Sequence, residues 1–137
     1  MSNSDEIRWQ QRLENFGRAM SQLETACKKD EYSDLERAGL VQIFEFSFEL
    51  AWKTLKDLLF TEGYDEKTPR SVIRRSFEVE YISEDDAETF LDALKKRNLL
   101  SHTYEEKVAQ EAQKLIRETY FPVLLRVYNT LIGKQNL

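Results

Sequence analysis

The run Arg97-Asn98-Leu99-Leu100-Ser101-His102-Thr103-Tyr104 gathers the side chains of this sequence best suited to chemistry, and His102 is its only histidine. An imidazole titrates near pH ~6.5, so His102 can take or give a proton at neutrality. A guanidinium holds a phosphate through two parallel hydrogen bonds, which is the natural use of Arg97. Asn98 is placed to orient either group or a substrate oxygen. Together these types suit metal-independent cleavage of RNA, in which a 2′-hydroxyl is deprotonated and arginine holds the developing phosphorane charge. Acid and base roles need two groups, and the chain offers one histidine. The reading therefore requires a two-fold dimer that sets two such segments side by side. The same spacing also fits a plainer role, an arginine capping a helix end and a hydrogen-bonding histidine.

For Arg97 and His102 to meet, the helix must break between them. Five steps of about 100° in an unbroken helix turn the second side chain some 140° away from the first. The flanking pattern predicts such a break. Ser83-Glu84-Asp85-Asp86 opens a helix with acids in its first turn, where the dipole favours them. Ala87, Phe90, Leu91 and Leu94 form its inward stripe, and it turns basic at Lys95-Lys96-Arg97, as a C-terminus should. Thr103-Tyr104-Glu105-Glu106 reads as a capping box that starts the next helix. The positive N-terminus of that helix would attract phosphate.

The rest of the chain reads as the frame for this segment. Residues 4 to 29 carry Ile7, Leu13, Phe16, Met20 and Leu23 at helical spacing, with Ser4 or Asp5 as the cap and Trp9 at the edge of the stripe. Ser33-Asp34-Leu35-Glu36 is a second capping box. The helix it opens should run to about Thr61 and stop at Gly63, with Leu40, Val41, Phe44, Phe48, Ala51, Trp52, Leu55, Leu58 and Leu59 inward. Glu45, Glu49, Lys53, Lys56 and Asp57 fall on its opposite, solvated side, with Glu49 and Lys53 a favourable pair one turn apart. Thr68-Pro69 starts a short helix with Val72, Ile73, Phe77 and Val79 inward and Arg70, Arg74 and Arg75 elsewhere. The last helix should run from Thr103 toward residue 131, with Pro122 kinking or breaking it. The expected fold is all-α, an antiparallel up-and-down bundle of about five helices in a single domain, residues 1–137.

Composition agrees with long, solvated helices: 137 residues, 41% hydrophobic and 33% charged, with only 4 Gly and 2 Pro. The net charge of −5 leaves any polyanion site to a local basic patch, for which Arg70, Arg74, Lys95, Lys96 and Arg97 are the candidates. A lone Cys27 excludes an intramolecular disulfide and a cysteine-cluster metal site, and it reads as a small apolar residue rather than a nucleophile. No metal or cofactor is expected. With no apolar run of ~20 residues, a membrane span is not expected either, and the expected compartment is the cytoplasm.

The arrangement Arg97-Asn98-x-x-x-His102-x-Tyr104 resembles the motif of the HEPN superfamily, and specifically its HepT-like branch, also called nucleotidyltransferase substrate-binding proteins. Phe44-Glu45-Phe46-Ser47-Phe48-Glu49-Leu50-Ala51-Trp52-Lys53-Thr54-Leu55-Lys56 is similar to that family's second helix, and Thr68-Pro69-Arg70 with Val72-Ile73-Arg74 to its third. Phe90 stands where the family pattern leads one to expect tryptophan. The resemblance implies a bundle that forms a dimer, or a higher even-numbered oligomer, with the two Arg–His segments facing a shared cleft. It also implies a small nucleotidyltransferase as partner. In HepT-like systems the helical protein is an RNase toxin, and the transferase neutralises it by adding AMP to the motif tyrosine. By that carry-over Arg97 and His102 are catalytic, Asn98 supports them and Tyr104 is modified. Two alternatives stand beside it: a non-catalytic subunit that binds substrate for the transferase, and a helical interaction protein that keeps the motif without its use.

Overall fold

The computed structural model describes residues 3–100 and 105–135, with only the backbone described for Asn3, Asn98 and Leu99. The helices are α1 (Asn3–Ala26), α2 (Asp34–Thr61), α3 (Pro69–Glu78), α4 (Glu84–Leu100), α5 (Glu106–Leu115) and α6 (Phe121–Gln135). A π-helical turn, Ile116–Tyr120, fuses α5 and α6 into one rod, so the described residues form five helical rods and no strand. This is the all-α up-and-down bundle that the sequence predicts.

Local chemistry sets the helix ends. Ser33 caps α2: its hydroxyl accepts from the Glu36 amide at 3.1 Å while the Glu36 carboxylate accepts from the Ser33 amide at 2.8 Å. Such caps stabilise a helix start by about 1 kcal/mol. After Thr61 the chain turns on Gly63 at φ +96°, and the Tyr64 amide returns to the Leu59 carbonyl at 2.9 Å. Thr68 caps α3 and Pro69 takes its first position, where a missing N–H costs nothing. The same closing pattern follows α3, with Glu80 at φ 67° and the Tyr81 amide returning to Ser76.

The core runs from Trp9 to Leu131 and centres on α2, which packs against α1, α3, α5 and α6. All nine residues of its predicted inward stripe are buried. A helix enclosed on so many sides also buries Ser47, Thr54 and Thr61. It does so cheaply, because each hydroxyl donates to a carbonyl of its own helix at 2.6–2.7 Å.

Several expectations need correction. Asp57 is not on the solvated side of α2. It is 7% exposed, with Arg12 of α1 3.3 Å from its carboxylate. Burial pushes the Asp57 carboxyl up, and Arg12 pulls it the other way. Phe77 of α3 is 42% exposed, and Ser76 takes the inward place, because a ten-residue helix presents only a narrow face to its neighbours. The first helix ends at Ala26 rather than near residue 29, and Ser4 and Asp5 lie inside it. α5 starts at Glu106, with Glu105 in the cap position and no side-chain cap bond, so a helix start at Thr103 is replaced by one later in the chain. Pro122 does not end the rod, and the break it marks in the regular α-helix takes the form of the π turn Ile116–Tyr120. The π turn just before it carries the Phe121 amide back to the Ile116 carbonyl, and the widened turn takes up the ring.

Candidate functional site

The candidate site lies where α4 ends at Leu100 and α5 begins at Glu106. α4 reaches this point with its start capped by Ser83, whose hydroxyl accepts from the Asp86 amide. Arg126 of α6 grips the Asp86 carboxylate through Nε at 2.9 Å and Nη2 at 2.8 Å, which ties the helix to the rod. Phe90 packs edge-on against Phe48 at 5.1 Å between ring centres. The smaller ring thus fills the position expected to hold tryptophan.

Each of the last two basic side chains of α4 lies against a carboxylate that also accepts from an aromatic donor. Arg97 Nη1 is 3.4 Å from Glu49 Oε1 on α2. Glu49 Oε2 accepts from the Trp52 indole at 3.1 Å and lies 3.7 Å from Lys53 Nζ. Lys96 Nζ is 3.4 Å from Asp92, one turn back. Asp92 also accepts from the Tyr120 hydroxyl at 2.7 Å, and Tyr120 stacks on Phe44 at 5.5 Å. Burial, helped by the bond to Asp92, pushes the Tyr120 phenol well above its ordinary value. Lys95 is exposed.

Arg70 and Arg74 are exposed on α3, the helix that packs beside α4. They line a shallow groove with Glu66, Thr68, Ser71 and Glu78. Arg75, the third arginine of that cluster, lines the same groove with its charge already engaged there: it donates to Glu66 at 2.9 Å, pairs with Glu78 at 3.0 Å and stacks on Tyr64. At the start of α5, Glu105 and Glu106 are both exposed, so an anion arriving there meets two carboxylates as well as the helix dipole.

His102 and Tyr104 lie outside the described residues, and so does the side chain of Asn98. The structure therefore fixes Arg97, Lys95 and Lys96 at the end of α4 and leaves the imidazole and phenol of the motif undescribed. Glu49, Trp52, Asp92 and Tyr120 join this neighbourhood without having been singled out from the sequence. The sequence carries a local signal for the first two, a glutamate three residues before a tryptophan on one helix, whereas their meeting with Arg97 is tertiary.

Among the described residues no cluster of histidine, cysteine and acidic groups could hold a metal ion, and no helix is long and apolar enough to cross a membrane. Cys27 is half-buried and burial raises its thiol to about 11, which suits packing rather than nucleophilic chemistry.

The model of a family described as nucleotidyltransferase substrate binding protein like matches residues 11–132. Among solved structures, a protein of Thermus thermophilus is similar at 28% identity and a TM-score of 0.74, covering 89% of this chain and 99% of its own. No curated protein matches. The matched span contains all the basic and acidic groups described above at this site.

Proposed function

This chain belongs to the nucleotidyltransferase substrate-binding-like family, and from that membership and the Arg97 site we propose that it is the toxin of a toxin–antitoxin pair. It acts as a dimer, cuts RNA without a metal, and is neutralised by a cognate nucleotidyltransferase that adds AMP to Tyr104. The observation that supports this most is Arg97 itself. It stands on the last turn of α4 with its side chain 46% exposed and steadied by Glu49, within reach of a phosphate arriving from solvent.

In this reading His102 of one protomer takes the proton of a 2′-hydroxyl, and the resulting oxygen attacks the adjacent phosphorus. Arg97 holds the charge that gathers on the phosphorane oxygens. The 5′-oxygen leaves with a proton from the second protomer's imidazole, so the products are a 2′,3′-cyclic phosphate and a 5′-hydroxyl. Lys95, Lys96, Arg70 and Arg74 hold flanking phosphates. Modification is a second transfer: the Tyr104 oxygen takes the α-phosphorus of ATP, pyrophosphate leaves, and the bulky anion then sits two residues from His102.

A second reading is a non-catalytic subunit that presents a substrate to the transferase. The net charge of −5 and the exposed Glu105 and Glu106 favour it. Growth separates the two. The toxin reading expects this chain expressed alone to arrest growth, with relief by Arg97→Ala or by the co-expressed nucleotidyltransferase. Unimpaired growth, together with a tight complex between the two proteins, would give the second reading the field.

A further inference from the structure

We propose that Glu49 positions Arg97 for phosphate, and that Trp52 in turn fixes Glu49. The proposal deepens the reading above and rests on it in taking Arg97 as the phosphate-binding group.

The two oxygens of Glu49 are divided between two donors. Oε1 lies 3.4 Å from Arg97 Nη1 and Oε2 accepts from the Trp52 indole at 3.1 Å. Trp52 is 8% exposed, so its N–H direction is set by the core, three residues further along the same helix. Lys53, 3.7 Å from Oε2 and 5.9 Å from the Trp52 ring centre, closes the other side of the carboxylate. A buried indole thus fixes the rotamer of a half-exposed glutamate, and that glutamate restrains an arginine 48 residues away in sequence.

The pair contributes little to stability, because both partners remain 40% or more exposed and water screens them. Its value is orientation. An arginine at a helix end otherwise samples many rotamers, each lost on binding phosphate. Holding Nη1 against a fixed carboxylate sets the plane of the guanidinium before phosphate arrives. The geometry also explains why a carboxylate suits position 49. Arg97 and Trp52 meet different oxygens of Glu49, and a glutamine held in the same rotamer would turn its NH2 group toward one of these two donors.

The sign of the Glu49→Gln effect separates positioning from simple charge competition. If Glu49 only competed with phosphate for Arg97, removing its charge would improve RNA binding and cleavage. Positioning requires the reverse. The direct test is the Arg97 Nε–Hε signal in a 15N-labelled protein without RNA, compared in wild type, Glu49→Gln and Trp52→Phe. Both substitutions should move that signal in the same direction, although Trp52 is bonded to Glu49 and not to Arg97. In cleavage assays both should lower the rate at saturating RNA, by up to about fivefold. An Arg97 signal unmoved in Glu49→Gln, or faster cleavage by that variant, overturns the proposal. Glu49 is 40% exposed at its side chain, so Glu49→Gln does not put folding at risk. A wild type that fails to cut RNA would remove the function proposed above, while the Arg97 signal would still decide this question.

Discussion

The Tyr120 hydroxyl donates to Asp92 at 2.7 Å and so joins the π turn to the helix that carries Arg97. The bond holds together three features that a regular helix would separate. The wider π turn accommodates Pro122, Tyr120 stacks on Phe44 of α2, and Asp92 remains available to Lys96 one turn along. The basic end of α4 is thus referenced to both the rod and the central helix.

Tyr120 should therefore resist alkali. Burial raises the phenols of both Tyr120 and Tyr81, so both should ionise well above the usual value near ~10 when followed by absorbance at 295 nm. A raised folded-state pKa means that the unfolded chain loses its proton first. The contribution to stability is complete below pH ~10 and falls as pH rises through the folded-state value. Tyr120→Phe should cost about 1 kcal/mol in urea unfolding and reduce the alkali-resistant absorbance by one phenol.

Glu36 sets the opposite pH dependence at the start of α2. A hydrogen bond from Lys29, 2.6 Å away, and the Ser33 amide hold its carboxyl down at about 2. A depressed carboxylate contributes stability above its unfolded value of about 4.5, and that contribution is lost as pH falls toward 2. Carbon-detected NMR titration should place Glu36 near 2 in the native protein and nearer its ordinary value in Lys29→Ala.

Glu80 is the one non-glycine residue with positive φ among the described residues, at 67°. It closes α3 in the position where glycine is favoured, since a Cβ there meets the backbone. Glu80→Gly should raise stability by up to about 1 kcal/mol and the Tm by a few degrees. A lower Tm would mean that the Glu80 side chain contributes more than its backbone costs.

Much of this arrangement was legible in the sequence, because it is written locally. Ser33 with Glu36, Thr68 with Pro69, and Gly63 each specify a helix end through groups a few residues apart, and each stands as expected. What escaped was tertiary. Helical period alone put Asp57 and Glu49 on one wet face of α2. A helix surrounded by neighbours has little such face: Asp57 is buried against Arg12 of α1, while Glu49, half-exposed and paired with Lys53 as expected, also meets Arg97 of α4. Phe77 failed for the converse reason, since a short helix has more apolar positions than neighbours to bury them. The start of α5 was placed at Thr103 because a capping box is a local signal, whereas the helix begins at Glu106 without a side-chain cap. His102 and Tyr104, the centre of the expected chemistry, lie outside the described residues, and their roles rest on the motif.

The central claim is that Arg97 and His102 cut RNA without a metal. Its most direct measurement is cleavage of a labelled RNA by the purified protein in excess EDTA, with Arg97→Ala and His102→Ala alongside. Cleavage by the wild type that leaves 2′,3′-cyclic phosphate ends, and falls at least about a hundredfold in each variant, is the expected result. Cleavage retained in His102→Ala, or none by the wild type in any buffer, would contradict it.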